Sequence, residues 1–152
     1  MTSPTLSPNE TAEDAQRLAA TFRLAVVRLA RRLRQQADTG ATPSMLSALA
    51  SIERLGPVTL GELAAVERVA PPTLTPVVAR LESEGLVARE ADPRDRRVGR
   101  LSVTRGGRQL LDRSRSRKTA FLARRLRALD PEDRVILARA AAIMDRIMED
   151  GA

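Results

Sequence analysis

Apolar residues recur at helical spacing near the start of the chain. From about Glu10 to Gln36 they fall three or four positions apart, and most arginines of this stretch fall at other helical angles. This pattern predicts a long amphipathic helix. The helix would span roughly 40 Å, which is more than one small domain needs to cover its core. We therefore expect it to pack against a second subunit. The apolar positions are Ala15, Leu18, Ala19, Phe22, Ala25, Val26, Leu29 and Leu33.

Two more helices are predicted at the other end of the chain. Thr104 is a suitable cap for a helix from Arg105 to about Ala128, although Gly106 and Gly107 would weaken its first turn. A cap, a proline and two acids at positions 130–133 then start a last helix that continues to about residue 149. Both helices have apolar sides and are expected to join the first helix in a dimer.

The middle of the chain begins with a shorter helix and a possible strand. Thr42 and Pro43 are typical of a helix start, and Gly56 followed by Pro57 is typical of a helix end. The apolar positions between them predict a buried face. Val58 is expected to form a short strand that pairs with the hairpin described below.

Two helices and a basic hairpin follow. Thr59 and Glu62 have the spacing of a capping box, a second helix is predicted to begin near Pro71, and Gly85 is placed to end it. Two β-prone runs, Leu86–Glu90 and Leu101–Thr104, are then joined by residues 91–100. The connection carries four arginines, which are Arg94, Arg96, Arg97 and Arg100.

A helix, a turn, a helix and a basic hairpin form the layout of a winged helix. The predicted fold class is therefore mainly α, a winged helix-turn-helix with a small β-wing between long N- and C-terminal dimerisation helices. We assign residues 1–9 to a mobile tail, 10–37 to the N-terminal dimerisation helix, 42–104 to the winged helix-turn-helix and 105–150 to the C-terminal dimerisation helices. No repeat or second domain is apparent in the sequence.

The net charge of the chain indicates which class of partner it favours. The 152 residues carry a net charge of +7, and 25 of the 26 basic residues are arginine, with Lys118 the exception. Such an excess favours polyanions, and arginine offers bidentate hydrogen bonds to phosphate and guanine. A GC-rich genome is an alternative cause of the arginine excess. Double-stranded DNA is nevertheless the partner that the winged-helix layout predicts.

Composition also excludes several classes of chemistry. Without cysteine or histidine the chain lacks disulfides, thiolate sites, the usual general base and the commonest metal ligand. No apolar run approaches a membrane span, and the first ten residues do not resemble a signal peptide. We expect a cytoplasmic protein without a cofactor or metal and without a membrane partner.

The second helix of the helix-turn-helix supplies the candidate DNA-reading residues. Thr73 and Thr75 can contact bases or phosphates, and Arg80 can reach phosphate or guanine. The alternative is that Thr73 is a capping residue and Arg80 a solvated charge. Pro76 cannot donate a hydrogen bond to the carbonyl of Pro72, so a bend is plausible.

The hairpin tip is the second candidate DNA contact. Asp92 followed by proline favours a turn, which leaves the arginines after it exposed. Asp95 is expected to hydrogen-bond Arg97 and to hold its side chain extended. An arginine held this way can enter a narrow minor groove, where negative potential is concentrated. The alternative is an ordinary solubilising loop.

Three stretches resemble the MarR family of bacterial transcriptional regulators. They read TLGELAA, PTLTPVVARLESEGLVARE and DPRDRRVGRLSVT, and long helices flank them on both sides. The resemblance implies a homodimer that binds a pseudopalindromic site. It places the family's Asp-x-Arg wing pair on Asp95 and Arg97, with Arg97 in the minor groove. The family's frequent arginine after the position of Thr75 is Pro76 here, which removes one expected DNA contact. The predicted DNA-binding set is Pro72, Thr73, Thr75, Pro76, Arg80, Arg94, Asp95, Arg96 and Arg97.

The resemblance also implies a small aromatic or anionic effector, bound between the dimer helices and the winged helix. The candidate wall consists of Phe22, Val26, Met45, Leu46 and Leu49, and Arg23 is the candidate anion partner. Plain core packing is the alternative for each of these residues. The family's oxidation-sensing branch does not apply, because the chain has no cysteine.

The predicted function is a DNA-binding transcriptional regulator, acting as a repressor that a small ligand can release. A winged-helix module that binds protein instead of DNA is the alternative, and weak salt dependence of binding would favour it. An enzyme is not expected. The acids Asp92 and Asp95 lie among arginines, which would keep them ionised and unsuited to proton transfer.

Overall fold

The computed structural model describes residues 8–36 and 39–149, which contain six helices and three strands. The predicted fold class, a mainly α winged helix-turn-helix with a small β-wing, is confirmed. The elements in chain order are α1 (Pro8–Gln36), α2 (Pro43–Leu55), β1 (Val58–Thr59), α3 (Leu60–Glu67), α4 (Pro71–Ser83), β2 (Val87–Ala91), β3 (Gly99–Val103), α5 (Arg105–Arg127) and α6 (Pro131–Glu149).

The three strands form one antiparallel sheet in the order β1-β3-β2. Val58 pairs with Leu101, so the predicted strand at this position is present and joins the hairpin. Strands β2 and β3 pair from Val87 with Val103 to Ala91 with Gly99. The hairpin β2-β3, which we call the wing, is therefore paired up to the residues that flank its basic tip.

The core lies between helices α2, α3 and α4 and the inner face of the sheet. It is built from aliphatic side chains and methionine, as the near-absence of aromatic residues requires. The spacing of these residues explains their burial, since positions three or four apart share one face of a helix. The largest fully buried side chains are Met45, Leu49, Ile52, Leu63, Val78, Leu81 and Leu101.

Several predicted helix ends are confirmed by their hydrogen bonds. The side chain of Thr59 accepts from the backbone N–H of Glu62, while the Glu62 carboxylate accepts from the N–H of Thr59, which completes the capping box. Thr104 Oγ1 accepts from the backbone N–H of a residue three positions later at 3.1 Å. Gly85 has φ +67° and lets α4 end sharply.

Two boundaries differ from the sequence prediction. Helix α1 begins at Pro8, two residues before the predicted Glu10, and proline is suited to the first turn of a helix. Most of the predicted tail, residues 1–7, lies outside the described residues. The wing strands are Val87–Ala91 and Gly99–Val103, so the second begins two residues earlier than predicted and the tip is shorter.

Helices α1 and α6 leave much of their apolar surface uncovered in the single chain. Helix α6 has no buried residue among its 19 positions. Helix α1 packs mainly against α5. None of the helices within residues 8–36 and 39–149 combines the length and hydropathy needed to cross a membrane. The exposed large apolar side chains on these two helices are Leu18, Phe22, Leu24, Val26, Val27, Leu29, Val135, Ile136, Leu137, Ile143, Ile147 and Met148.

Candidate nucleic-acid interface

Helix α4 presents one face to the core and the other to solvent. Leu74, Val78 and Leu81 are buried and fix the rotation of the helix. This rotation leaves the predicted reading positions on the outer face. The exposed residues are Pro72, Thr73, Thr75, Pro76 and Arg80.

The prolines of α4 shape its first half without ending it. Pro76 lies inside a helix that continues to Ser83, although the proline has no N–H to donate. The hydroxyl of Thr75 donates to the carbonyl of Pro71 at 3.2 Å, which satisfies one carbonyl of the first turn. Thr73 contributes its backbone N–H to the carbonyl of Ala70 at 2.9 Å, and no side-chain cap closes this helix start. The Thr73 hydroxyl therefore remains at the exposed surface.

Arg80 is held along the helix surface. Its Nε donates to Glu84 Oε1 at 2.9 Å, and both side chains are largely exposed. Ion pairs one helical turn apart contribute only a few tenths of a kcal/mol. Such a pair can exchange for a phosphate at little cost.

The base of the wing is fixed by Asp92. This carboxylate is buried and accepts from the backbone N–H of Arg94 at 2.7 Å and from the guanidinium of Arg100. Arg100 also donates to the carbonyl of Pro57 at 3.1 Å and lies 3.7 Å from the carboxylate of Glu62. The network ties the wing to β1 and to the capping box of α3.

These contacts lower the pKa values of the two carboxylates in the network. The pKa of Asp92 is lowered, first by the hydrogen bond from the backbone N–H of Arg94 and then by the guanidinium of Arg100. The pKa of Glu62 is lowered, chiefly by the backbone N–H of Thr59. Both carboxylates are therefore ionised near neutral pH and unsuited to act as acids.

The other side of the wing is tied to α4. Arg89 donates through Nε to Glu82 Oε1 at 2.8 Å and through Nη2 to Glu82 Oε2 at 3.1 Å. This bidentate pair raises the pKa of Arg89. It connects the first wing strand with the end of the candidate recognition helix.

The wing tip carries the arginines that the fold does not use. Arg94, Arg96 and Arg97 are exposed, and their guanidinium groups contact no acid of the described chain. Asp95 Oδ1 accepts from the backbone N–H of Arg97 at 3.0 Å. The predicted bond to the Arg97 side chain is thus replaced by one to its backbone. Asp95 shapes the turn and leaves the guanidinium free.

Sequence reasoning missed the anchoring pairs of the wing. Arg100 was grouped with the other arginines, and Arg89 and Glu82 were not singled out. One signal was available for Asp92 and Arg100, because opposite charges on the two sides of a hairpin can pair once the register is known. The Glu82–Arg89 pair joins a helix to a strand, and no local pattern marks it.

The predicted effector residues fall into two groups. Met45 and Leu49 are buried in the core, and Leu46 is partly buried against it. Phe22, Arg23 and Val26 lie exposed on α1. A single chain thus does not enclose all six positions, which are Phe22, Arg23, Val26, Met45, Leu46 and Leu49.

Comparison with known proteins shows which proteins share this sequence and architecture. The MarR family profile matches residues 41–98. An uncharacterised HTH-type transcriptional regulator of Mycobacterium leprae is 38% identical over 135 residues, which cover 88% of this chain and 94% of the relative. The structure of a transcriptional regulator protein from Pseudomonas aeruginosa is 38% identical, with a TM-score of 0.80 over 89% of this chain and 96% of its own.

A MarR family protein from Bacillus stearothermophilus is 26% identical, with a TM-score of 0.74 over 95% of this chain and 99% of its own. The likeness thus includes the flanking helices as well as the winged helix. The chain belongs to the MarR family and is a transcriptional regulator, not an enzyme, with a DNA-binding winged helix-turn-helix fold.

Proposed function

We propose that this regulator binds a pseudopalindromic operator as a homodimer and acts as a repressor. Helix α4 enters the major groove of each half-site, and the wing tip enters the flanking minor groove. The observation that carries the proposal is the wing itself. Its base is locked by ion pairs, while three arginines at its tip have no acidic partner in the described chain.

The arginines of the wing form two groups: those that contact carboxylates of the fold, and those at the tip that contact no acid of the described chain. Arg89 and Arg100 pair with carboxylates of the fold, and we assign them to anchoring the wing. Arg97 follows a turn that Asp95 stabilises, so its guanidinium projects from an ordered backbone. Because the backbone is already ordered, only the side chain loses conformational freedom when it enters a narrow minor groove. Arg94 and Arg96 are assigned to the flanking phosphates.

The recognition helix reads its groove with short side chains. Thr73 can donate to bases or phosphates. The Thr75 hydroxyl donates to Pro71 and can accept from a base, and Pro72 and Pro76 offer only apolar contact. Arg80, one turn further along, can exchange its partner Glu84 for a phosphate. We therefore assign most of the affinity to phosphate and wing contacts, with modest base readout from α4.

A second copy of the chain is the partner that α1 and α6 require. Met148 of α6 is 76% exposed and Leu18 of α1 is 68% exposed, which leaves apolar surface on two long helices open to water. Contiguous apolar surface of this kind marks a protein interface. Two half-sites one helical turn apart require the two α4 helices of such a dimer to lie ~34–36 Å apart.

Ligand release is the final part of the proposal. Phe22, Arg23 and Val26 are exposed on α1, and Leu46 on α2 is only partly buried. In a dimer these side chains can form a pocket wall that takes an aromatic or anionic molecule. A ligand there would alter the spacing of the two α4 helices and thereby weaken operator binding.

The test is operator binding by fluorescence anisotropy at several salt concentrations, with the DNA upstream of the protein's own gene and with scrambled DNA. Arg97→Ala should weaken binding by roughly 1–3 kcal/mol per half-site, because it removes one groove contact. Arg113→Ala removes the same charge from the exposed surface of α5 and should leave affinity nearly unchanged. Equal affinity of the Arg97 variant and the native protein at all salt concentrations would contradict the wing assignment.

The same titration separates the two function classes. A DNA-binding regulator loses affinity steeply as salt rises, because each phosphate contact releases a counterion. A winged helix that binds protein would show weak DNA binding without preference for the upstream sequence. That second outcome would overturn operator binding at this site.

A further inference from the structure

The second half of α5 concentrates positive charge away from the wing. Seven of the seventeen residues from Arg113 to Leu129 are basic and none is acidic. Two of these arginines have identified partners among the described residues. Arg115 pairs with Glu53 and Asp112, and Arg125 lies over the ring of Phe121 at 5.4 Å from its centre.

Part of this charge lines a cavity. A cavity of about 310 Å³ lies between the end of α1 and one face of α5. Its α5 residues are three or four positions apart, so they share one side of the helix. The lining residues are Gln36, Arg117, Ala120, Phe121, Arg124 and Arg127.

The walls of this cavity differ in what they offer a ligand. Arg124 and Arg127 are exposed, and neither has an acidic partner among the described residues. Gln36 adds an amide, and the small side chain of Ala120 leaves space between the arginines. Phe121 is nearly buried and closes the floor. Among the described residues that line the cavity, none carries a negative charge.

We propose that this cavity binds a small ligand that carries a multiply charged phosphate group, such as a di- or triphosphate. Guanidinium groups match phosphate oxygens with paired, charge-assisted hydrogen bonds. A bound polyanion would also relieve the repulsion among the basic residues of α5. The site is separate from the wing and from the predicted aromatic pocket, and it stands whether or not the proposed operator binding is correct.

The shape of the surface favours a small anion over DNA. Duplex DNA is a convex rod that meets exposed, protruding side chains such as those of the wing tip. Here Arg117, Arg124 and Arg127 line a shallow depression whose volume lies at the lower end of the range for small-molecule sites. DNA phosphate contact is therefore the competing occupant that the experiment must separate.

The experiment is calorimetric titration of the full-length protein with inorganic triphosphate. The double variant Arg124→Gln/Arg127→Gln should bind the probe at least about tenfold more weakly, because it removes charge-assisted contacts. Arg54→Gln/Arg105→Gln removes two exposed charges outside the cavity. Its affinity should stay within about threefold of the native value, because distant charges are screened at physiological salt.

A second variant leaves every arginine in place. Ala120→Glu adds a carboxylate inside the cavity, at an exposed helical position that accepts glutamate readily. It should also weaken triphosphate binding by about tenfold or more, since a fixed negative charge competes with the probe. Circular dichroism of each variant verifies that the helices are retained.

Four outcomes would overturn the site. The first is no binding of triphosphate to the native protein at millimolar concentration. The second is equal affinity in the cavity double variant and the native protein, and the third is an equal loss of affinity in the cavity and control double variants. The fourth is undiminished affinity in Ala120→Glu. If the cavity double variant instead lowers affinity for DNA while triphosphate does not bind, the arginines serve DNA phosphates and the small-ligand site is excluded.

Discussion

Gly107 is a residue whose role depends on atoms far from it in sequence. It is buried in the first turn of α5, where a Cβ atom would lie 2.3 Å from the carbonyl oxygen of Leu86 and 2.8 Å from Cγ1 of Val103. Helix propensity alone marks this glycine as a weakness. The close approach shows that α5 can meet the wing only because the side chain is absent.

We expect Gly107→Ala to lower the free energy of unfolding by about 1–3 kcal/mol, because the added methyl group overlaps backbone that cannot move easily. Gly106→Ala is the matched control. Its Cβ would meet its nearest neighbours at 3.6 Å, an ordinary contact, and alanine favours the helix by up to about 1 kcal/mol. Urea unfolding of both variants measures the difference. Equal stability of the two would contradict the packing explanation.

The difference between these glycines could not be predicted from the sequence. Both occupy the same helical turn and have the same intrinsic propensity. The atoms that distinguish them belong to Leu86, which lies between α4 and β2, and to β3, and their position follows only from the packed fold. The caps at Thr59 and Thr104 were predictable for the opposite reason, since their partners lie three residues away.

At the scale of an element, the wing is a hairpin held at its base on two sides. Asp92 and Arg100 tie it to β1 and α3, and Glu82 and Arg89 tie it to α4. The base of the wing is therefore fixed to the helix-turn-helix. An α4 helix in the major groove and a wing in the flanking minor groove must keep a fixed spacing, and these ion pairs help to set it.

The wing base should respond to acid. Asp92 has a pKa below its ordinary value of 3.8, so the unfolded chain takes up a proton before the folded chain does. Its contribution to stability is thus complete above the ordinary pKa and is lost as pH falls through the lowered native pKa. We expect no change from this group between pH 5 and pH 8, and a decline below about pH 4.

The measurement is the free energy of unfolding against pH for the native protein and for Asp92→Asn. The variant should be less stable near neutral pH and should lose less stability on acidification, because the ionised carboxylate is gone. Glu90→Gln, which removes an exposed acid of the preceding strand β2, is the control and should keep the native profile at low pH. An unaltered acid dependence in Asp92→Asn would show that the wing base is not the responding group.

The sequence predicted the position of the wing well, but it did not predict the ion pairs that hold the wing in place. Alternating β-prone residues and the Asp-Pro turn located both strands to within two residues. Which arginines remain free depends on pairing between elements. The structure shows Arg94, Arg96 and Arg97 exposed, and their role in DNA binding stays a prediction, while the anchoring roles of Arg89 and Arg100 become visible only in the fold.

At the scale of the whole molecule, the proposed dimer accounts for the surplus apolar surface of α1 and α6. Ile136 is 61% exposed on α6 and offers a direct test. Ile136→Asp should convert the dimer to a monomer at micromolar concentration, because a charge would be buried without a partner. Multi-angle light scattering gives the mass directly.

Leu55→Asp is the control for this change. Leu55 is also exposed and apolar, but it lies at the end of α2 in the winged helix. This variant should remain a dimer. A native protein that is monomeric at micromolar concentration would contradict the assembly and the two-site operator together.

The amphipathic spacing of α1 and α6 could be predicted, and their length alone suggested a partner. The effector site could not be predicted in the same way. Its proposed residues were chosen on two helices whose relative placement the sequence does not fix. In the single chain Met45 and Leu49 are core residues, whereas Phe22 and Arg23 face solvent.

Helix α6 has no buried residue of its own in the single chain, so the proposed dimer would link the lifetime of the protein to its abundance. A chain whose last helix is covered only by another copy gains stability as its concentration rises, by mass action. Newly made chains at low copy number would present that helix to proteases until they meet a partner. The cellular level of such a regulator is then set by encounter as well as by synthesis, and scarce protein is removed faster than abundant protein.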